Sequence, residues 1–110
     1  MTTQRTLMTA EELARLPDTG QRYELVRGEL ITMAPPGGVH GRTTTRIDRR
    51  LDTYVEGEGL GVVVAGDVGF FLSHNRDTVR APDVAFISTE RLPEGGLAEG
   101  YIEGPPDLSH

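Results

Sequence analysis

The alternation of apolar and polar positions in the first third of the chain predicts a short helix followed by a hairpin. Thr9 and Glu12 have the spacing of a capping box, which predicts a helix that continues to about Leu16. Two β-prone runs, Arg22–Val26 and Glu29–Met33, then flank a tight turn that contains a glycine. This pattern is typical of two antiparallel strands.

The pattern changes to a helical period between residues 39 and 55. The predicted apolar stripe of this amphipathic helix consists of Val39, Thr43, Ile47, Leu51, Tyr54 and Val55. Glycines at positions 57 and 59 mark its end, as expected just past a helix C-terminus.

The same helix carries four arginines and, close behind them, four acidic residues. A solvated face in which these charges pair is the better interpretation, and contact with phosphate groups is the alternative. The arginines are Arg42, Arg46, Arg49 and Arg50, and the acids are Asp48, Asp52, Glu56 and Glu58.

Three strands are predicted after the long helix, at residues 60–65, 68–73 and 78–88. Residues 74–77 have the composition of the turn between the last two strands. Gly66 and Asp67 separate the first two strands as a hairpin turn or a bulge. Residues 89–92 could form a helical turn, and residues 101–108 approach a further strand.

The composition of the 110 residues indicates one small domain and excludes several kinds of chemistry. Cysteine is absent, which excludes disulfides and thiolate metal sites. All 11 basic residues are arginine, so no lysine is available for a Schiff base or a P-loop. The net charge of −6 argues against strong sequence-independent binding to nucleic acid, which usually depends on a basic face.

Targeting and zinc signals are also missing from the sequence. The longest apolar run, residues 60–65, is far shorter than the ~20 residues that span a bilayer. No signal segment opens the chain, so we expect a cytoplasmic protein without a membrane partner. The sequence has no His-x-x-x-His pair, which argues against a zinc site. For His40, at the start of the long helix, a capping or loop role is favoured over catalysis.

Asp83 is the residue that fits its predicted strand least. Alternation places it on one face with Val79 and Ile87 in a strand that is apolar on both faces. A buried carboxylate there costs several kcal/mol unless it is hydrogen-bonded, neutralised or bound to a metal. Pro82 instead favours a strand opening, where Asp83 would be partly exposed. The spacing leaves a structural turn or cap and a functional role equally open.

Glu24 is a similar case, because it lies between Tyr23 and Leu25 in an otherwise apolar strand. Taken alone, an exposed carboxylate on an edge strand is favoured for Glu24, and Glu29 across the turn is expected to be solvated. Carboxylates on neighbouring strands can, however, hold a Mg²⁺ at ~2.0–2.1 Å together with waters. A metal-bound water can then attack a phosphodiester near neutral pH.

Several short motifs occur in a recognisable order. They are Met8-Thr9-Ala10-Glu11-Glu12-Leu13, Leu16-Pro17-Asp18, Tyr23-Glu24-Leu25-Val26-Arg27-Gly28-Glu29-Leu30, Met33-Ala34-Pro35-Pro36, His40-Gly41, Val79-Arg80-Ala81-Pro82-Asp83-Val84-Ala85-Phe86 and Ile102-Glu103-Gly104-Pro105-Pro106-Asp107-Leu108. In order and spacing they resemble the Uma2 family of restriction endonucleases, a branch of the PD-(D/E)xK nuclease superfamily. The resemblance covers residues 8–108.

This resemblance implies a restriction-endonuclease-like α/β (α+β) fold, in which helices flank a mixed sheet. It also implies hydrolysis of DNA phosphodiester bonds that depends on Mg²⁺ or Mn²⁺. Asp83 matches the aspartate of the family's Pro-Asp element, and Glu24 matches the acidic residue of its Tyr-Glu-Leu segment. Both would be catalytic residues and metal ligands.

The sequence departs from the family pattern after residues 106–108. In the family, a second catalytic acid and a lysine follow the Pro-Asp-Leu segment, whereas here only Ser109 and His110 follow. We therefore expect residues 1–110 to be a single, incomplete domain, which is a truncated or frameshifted member of the family or a fragment of one. Its sheet would be incomplete, and it would have little or no nuclease activity.

Two other interpretations remain open. The chain could be a non-catalytic binding or regulatory module that pairs with an intact homologue, or with itself, through an unfinished sheet edge. Alternatively, it could be the product of a decayed gene and fold poorly.

Overall fold

A computed structural model describes residues 7–17, 21–35, 37–66, 68–97 and 99–110. The elements in these ranges are α1 (Ala10–Ala14), β1 (Arg22–Val26), β2 (Glu29–Met33), α2 (Gly38–Glu58), β3 (Gly61–Ala65), β4 (Phe70–Ser73), β5 (Thr78–Arg80), β6 (Val84–Ser88), a 3₁₀ turn (Thr89–Arg91), β7 (Ile102–Glu103) and β8 (Leu108–Ser109).

The strands form two sheets. The first has the order β2-β1-β5-β4-β7, and the second has the order β3-β6-β8. In the first sheet β4 and β7 run parallel, while β1, β2, β4 and β5 pair antiparallel. The prediction of a mixed sheet accompanied by helices is therefore confirmed.

The N-terminal elements form as predicted. Thr9 Oγ1 accepts a hydrogen bond from the Glu12 N–H at 3.2 Å, and Glu12 Oε1 accepts one from the Thr9 N–H at 3.0 Å. These reciprocal bonds are the predicted capping box. The hairpin β1–β2 has a continuous antiparallel register, in which Leu25 lies opposite Leu30.

Helix α2 is also confirmed, and it ends at Gly59, whose φ of 63° is a left-handed conformation that favours glycine. Its predicted apolar stripe is wrong in part, because Val39 is 85% exposed and Tyr54 is 61% exposed. The six predicted positions spread over about 160° of the helix surface at 100° per residue. Helix α2 packs against β3 and β6. These strands cover a narrower arc of the helix surface, which includes Leu51 and Val55.

The charged side of α2 is solvated, as predicted, but among the described residues its charges do not form the predicted ion pairs. Arg42, Arg46, Arg49 and Arg50 are all exposed. Within the part of the chain that the structure describes, no ion pair joins them to the four acids of the same helix.

The predicted strand at residues 78–88 is wrong, because these residues form two strands in different sheets. β5 pairs with β1 and β4, whereas β6 pairs with β3 and β8. Pro82 lies between them and has no N–H to donate to a ladder, which accounts for the break. Val79 and Ile87 consequently belong to different buried clusters and do not share a face.

The connection at Gly66 and Asp67 is not a hairpin turn, since β3 and β4 belong to different sheets; Asp67 itself lies outside the described residues. The turn at residues 74–77 does join the antiparallel pair β4–β5, as predicted. The helical turn expected at residues 89–92 is the 3₁₀ turn, and residues 101–108 contribute β7 and the start of β8.

Two buried clusters stabilise the fold. Ala10, Leu25 and Val79 form one, which joins α1 to the first sheet. In the other, Phe70 of β4 packs with Ala85 and Ile87 of β6, so Phe70 connects the two sheets. Among the described residues, no helix is long and apolar enough to cross a membrane.

Candidate functional site

A cavity of about 500 Å³ lies where the first sheet, the start of α2 and the connection from β5 to β6 meet. Arg22 and Glu24 contribute to its wall from β1, and His40 contributes from the first turn of α2. Asp83 lines it from the connection. The two acids that the sequence predicted from distant segments therefore share one cavity.

Asp83 occupies the strand opening that Pro82 favours. It directly precedes β6, and its side chain is 23% exposed. The Arg22 Nη1 donates a hydrogen bond to Asp83 Oδ1 at 3.1 Å, and His40 Nε2 lies 2.7 Å from Asp83 Oδ2. The carboxylate is thus held between a guanidinium and an imidazole.

These neighbours decide the protonation state of Asp83. Burial raises the pKa of its carboxyl, but the hydrogen bonds and charges of Arg22 and His40 outweigh burial and hold the pKa below its ordinary value of 3.8. Asp83 is therefore an anion at neutral pH, which is the form that a metal ion requires.

Glu24 is not the exposed edge-strand carboxylate that its position alone favoured. β1 lies between β2 and β5, and Glu24 is only 6% exposed. Its Oε1 accepts a hydrogen bond from the Arg80 Nε at 3.1 Å, and its Oε2 accepts one from the Ala81 N–H at 2.8 Å. Glu24 therefore fixes the main chain two residues before Asp83.

Arg22 and Glu24 face the same cavity because they are two residues apart on β1 and so lie on one face of the strand. Arg22 also donates through Nη2 to the carbonyl oxygen of Ala81 at 3.1 Å. Both residues thus hold the connection that carries Asp83. Nothing in the alternation of β1 distinguishes Arg22 as a site residue, and the sequence did not single it out.

His40 has a different role from the one expected. The N-cap of α2 is Gly37, which has no side chain to cap the helix. The His40 ring contacts Asp83, 43 positions away in the chain, and stacks at 6.3 Å from the ring of His110. Since no local pattern predicts so distant a contact, only the tertiary structure identifies His40 as a site residue.

The end of β8 secures the Asp83 segment from the other side. The Asp83 N–H donates to the carbonyl oxygen of His110 at 2.9 Å, and the His110 N–H donates to the carbonyl oxygen of Val84 at 2.9 Å. Asp83 is therefore positioned by main-chain bonds as well as by its side-chain partners.

The donor set of the cavity suits a hard divalent cation. Carboxylate oxygens are preferred ligands of Mg²⁺ and Mn²⁺, and each carboxylate has about four acceptor sites, more than its present partners occupy. A bound cation would nevertheless compete with Arg22 for Asp83 and with Arg80 for Glu24. Across the described ranges, no group of three or more His, Cys, Asp and Glu side chains is placed to hold a metal.

The architecture defines the class of protein. It is similar to a crystal structure from Anabaena variabilis ATCC 29413 that is described as "a putative nuclease belonging to DUF820", with a TM-score of 0.77 and 20% sequence identity. The match covers 93% of this chain and 56% of that chain, so this chain spans little more than half the length of its structural relative. The chain thus shares the mixed α+β fold of that structure.

The family follows from the sequence match. The family model Uma2, described as "Putative restriction endonuclease", matches residues 10–109, and the chain therefore belongs to the Uma2 family. No curated protein matches the chain.

Proposed function

We propose that Glu24 and Asp83 are metal ligands in a site for the hydrolysis of DNA phosphodiester bonds. The observation that carries this proposal is that the two acids, 59 positions apart in the sequence, line one cavity with two arginines and two histidines. Membership of the Uma2 family supports the reaction class. A Mg²⁺ or Mn²⁺ held by these carboxylates would supply an activated water and polarise a phosphate oxygen.

The two acids differ in how firmly they are held. Glu24 is buried and bonded to a main-chain N–H, so it is the fixed ligand of the pair. Asp83 is ionised and partly exposed, and its carboxylate is bonded to two side chains. It is therefore the ligand that can adjust to a cation.

The remaining polar groups of the cavity match a phosphate. Arg22 and Arg80 line it with guanidinium groups, which bind phosphate oxygens in a bidentate manner. His40 Nε2 lies 2.7 Å from Asp83 Oδ2 and can form a hydrogen bond at the same place. These groups would orient a phosphodiester and neutralise its charge.

We expect the 110-residue chain to bind metal weakly and to cleave little DNA. It contains no lysine, and the described residues provide no third acid or histidine in a metal-binding arrangement with Glu24 and Asp83. Two carboxylates whose charges Arg22 and Arg80 already balance attract a divalent cation less than a three-acid cluster would.

Calorimetric titration with Mn²⁺ tests the metal site. We expect one weak site in the wild-type chain, and Glu24→Gln or Asp83→Asn should remove its heat of binding. Glu29→Gln, an exposed glutamate on the neighbouring strand of the hairpin, is the matched control and should bind Mn²⁺ as the wild type does. Equal binding by all four proteins would refute the assignment.

Nicking of supercoiled plasmid tests the expected level of activity. We expect little nicking with Mg²⁺ or Mn²⁺. Strong metal-dependent nicking that disappears in Asp83→Ala would support the site and overturn the expectation of an impaired enzyme.

A further inference from the structure

The solvent-facing side of α2 carries a cluster of like charges. Arg42, Arg46, Arg49 and Arg50 are exposed, and within the described part of the chain none of them forms an ion pair. At 100° per residue they fall within an arc of about 100°, on the side away from Leu51 and Val55. We call these four residues the arginine face.

Helix stability does not explain the arginine face. Arg42, Arg46 and Arg50 are spaced four residues apart, and like charges at this spacing destabilise a helix. The first turn of α2 contains no acid and the last turn contains no base, whereas Glu56 and Glu58 lie near the C-terminus. Both features oppose the charge distribution that the helix dipole favours. The arrangement therefore calls for an explanation outside the helix.

The arginine face lies in the half of α2 that is next to the cavity. Residues 38–50 contain four arginines and one aspartate, whereas residues 51–58 contain three acids and no base. Arg42 follows His40, whose ring lies 2.7 Å from Asp83 Oδ2. The positive half of α2 is thus the half nearer the candidate site, although Arg42 lies about 160° around the helix from His40 at 100° per residue.

We propose that the arginine face binds the phosphate backbone of a DNA duplex. This inference rests on the proposed function. The face extends for about 12 Å along the helix, which matches three or four successive phosphates at 3.4 Å of axial spacing. The spacing of the arginines therefore fits a partner that is a polyanion with regularly spaced charges.

The net charge of −6 disfavours strong binding to DNA by the molecule as a whole, but it does not exclude a local contact through the arginine face. At physiological ionic strength, charges more than about 8 Å apart are largely screened, so a duplex on the arginine face experiences mainly the local arginines. The acidic residues elsewhere would instead limit binding to this side of the molecule. Binding should therefore be moderate, salt-dependent and confined to one face.

Fluorescence anisotropy with a labelled duplex of about 20 base pairs tests the proposal, in EDTA and between 50 and 200 mM NaCl. The plot of log K against log [salt] has a negative slope, and each lost phosphate contact reduces the magnitude of this slope by about 0.9. We expect Arg42→Gln/Arg46→Gln to lower the slope by about 2, so that the loss of affinity over this salt range shrinks about tenfold. Arg49→Gln/Arg50→Gln should act in the same direction.

Arg15→Gln/Arg76→Gln is the matched control, since it removes two exposed arginines outside α2. It should keep the wild-type slope. Glutamine has nearly the helix propensity of arginine, so thermal melts followed by circular dichroism should show intact folding in every variant. The proposal is overturned if the wild type does not bind the duplex at 50 mM NaCl, if the slope is unchanged in both α2 variants, or if the control loses as much.

Manganese titration of the same proteins separates this proposal from the proposed function. The arginine-face variants should bind Mn²⁺ like the wild type, and Asp83→Asn should still bind the duplex in EDTA. If Mn²⁺ binding is absent while duplex binding depends on the arginine face, the metal site is wrong and the DNA contact stands. If an acidic protein displaces the duplex from the control variant but has no effect on the arginine-face variants, the arginine face also binds a second type of partner. Its contact with phosphate still stands.

Discussion

Two regions of the molecule share the same local sequence pattern and differ in what surrounds them. Residues 82–84 and 106–108 each place a Pro-Asp pair just before an apolar residue that starts a strand. Because β6 and β8 are antiparallel, the two aspartates lie at opposite ends of this pair of strands. Asp83 faces the cavity, and Asp107 lies beside the 3₁₀ turn that follows β6.

Asp107 has a structural role in its surroundings. Its Oδ2 accepts a hydrogen bond from the Ser88 N–H at 2.7 Å, and its Oδ1 lies 3.6 Å from Arg91 Nη1. The Ser88 N–H, assisted by the charge of Arg91, outweighs partial desolvation and holds the pKa of Asp107 below its ordinary value of 3.8. The comparison shows that a Pro-Asp pair places an aspartate just before a strand. Which groups surround that aspartate depends on the end of the sheet at which the strand begins.

The largest difference between the two aspartates should appear in metal binding. We expect Asp83→Asn to weaken Mn²⁺ binding about a hundredfold, since changes that only touch the ligands of a metal already cost about 10–100-fold. Asp107→Asn should leave the affinity within a factor of about two, because Asp107 does not line the cavity. Equal losses in both variants, measured by calorimetry, would break the comparison.

Removing the arginine partner of each aspartate should give a smaller difference, in stability. Arg22 is only 24% exposed and bonds to both Asp83 and Ala81, so Arg22→Gln should lower the free energy of unfolding by about 1–2 kcal/mol. Arg91→Gln should cause no resolvable change, because an exposed ion pair contributes little. Urea unfolding with an unchanged m-value checks both, and a larger loss in Arg91→Gln would contradict the comparison.

The smallest effect should be the dependence of stability on pH, and here the two aspartates should agree. The pKa of each is lower in the folded chain than its ordinary value of 3.8. Each carboxylate therefore contributes stability above pH 3.8, and this stability is lost as the pH falls through the lower folded value. Urea unfolding at about pH 6 and about pH 3 should show that Asp83→Asn and Asp107→Asn differ from the wild type less at the lower pH. A difference that grows on acidification would show that the sign is wrong.

Local signals predicted the elements that depend on neighbouring residues. The capping box at Thr9, the hairpin around Gly28 and the end of α2 at Gly59 each arise from a few adjacent residues, and all three form. The preference of Pro82 for a strand opening likewise predicted correctly that Asp83 precedes a strand and is partly exposed. The resemblance to the Uma2 family supplied the link between Asp83 and Glu24 that spacing could not.

Features that depend on which strands become neighbours could not be read from the pattern. Glu24 has the same local sequence whether β1 is an edge or a central strand, and it is buried because β5 pairs with β1. The contacts of His40 and Arg22 with Asp83 span 43 and 61 positions. The division of residues 78–88 between two sheets has the same kind of origin, since a local rule indicates a break at Pro82 but no second sheet.

That division has a mechanical consequence for the acid pair. Glu24 belongs to the first sheet, whereas Asp83 directly precedes β6, a strand of the second sheet. Sliding or rotation of one sheet on the other would therefore strain the hydrogen bonds by which Glu24 and Arg22 hold the connection to Asp83. Phe70, packed between the sheets, opposes this motion without carrying any charge. The relative position of the two acids thus depends on the packing between the sheets. A cavity at Phe70 would make that position less well fixed, although both acids would still be present.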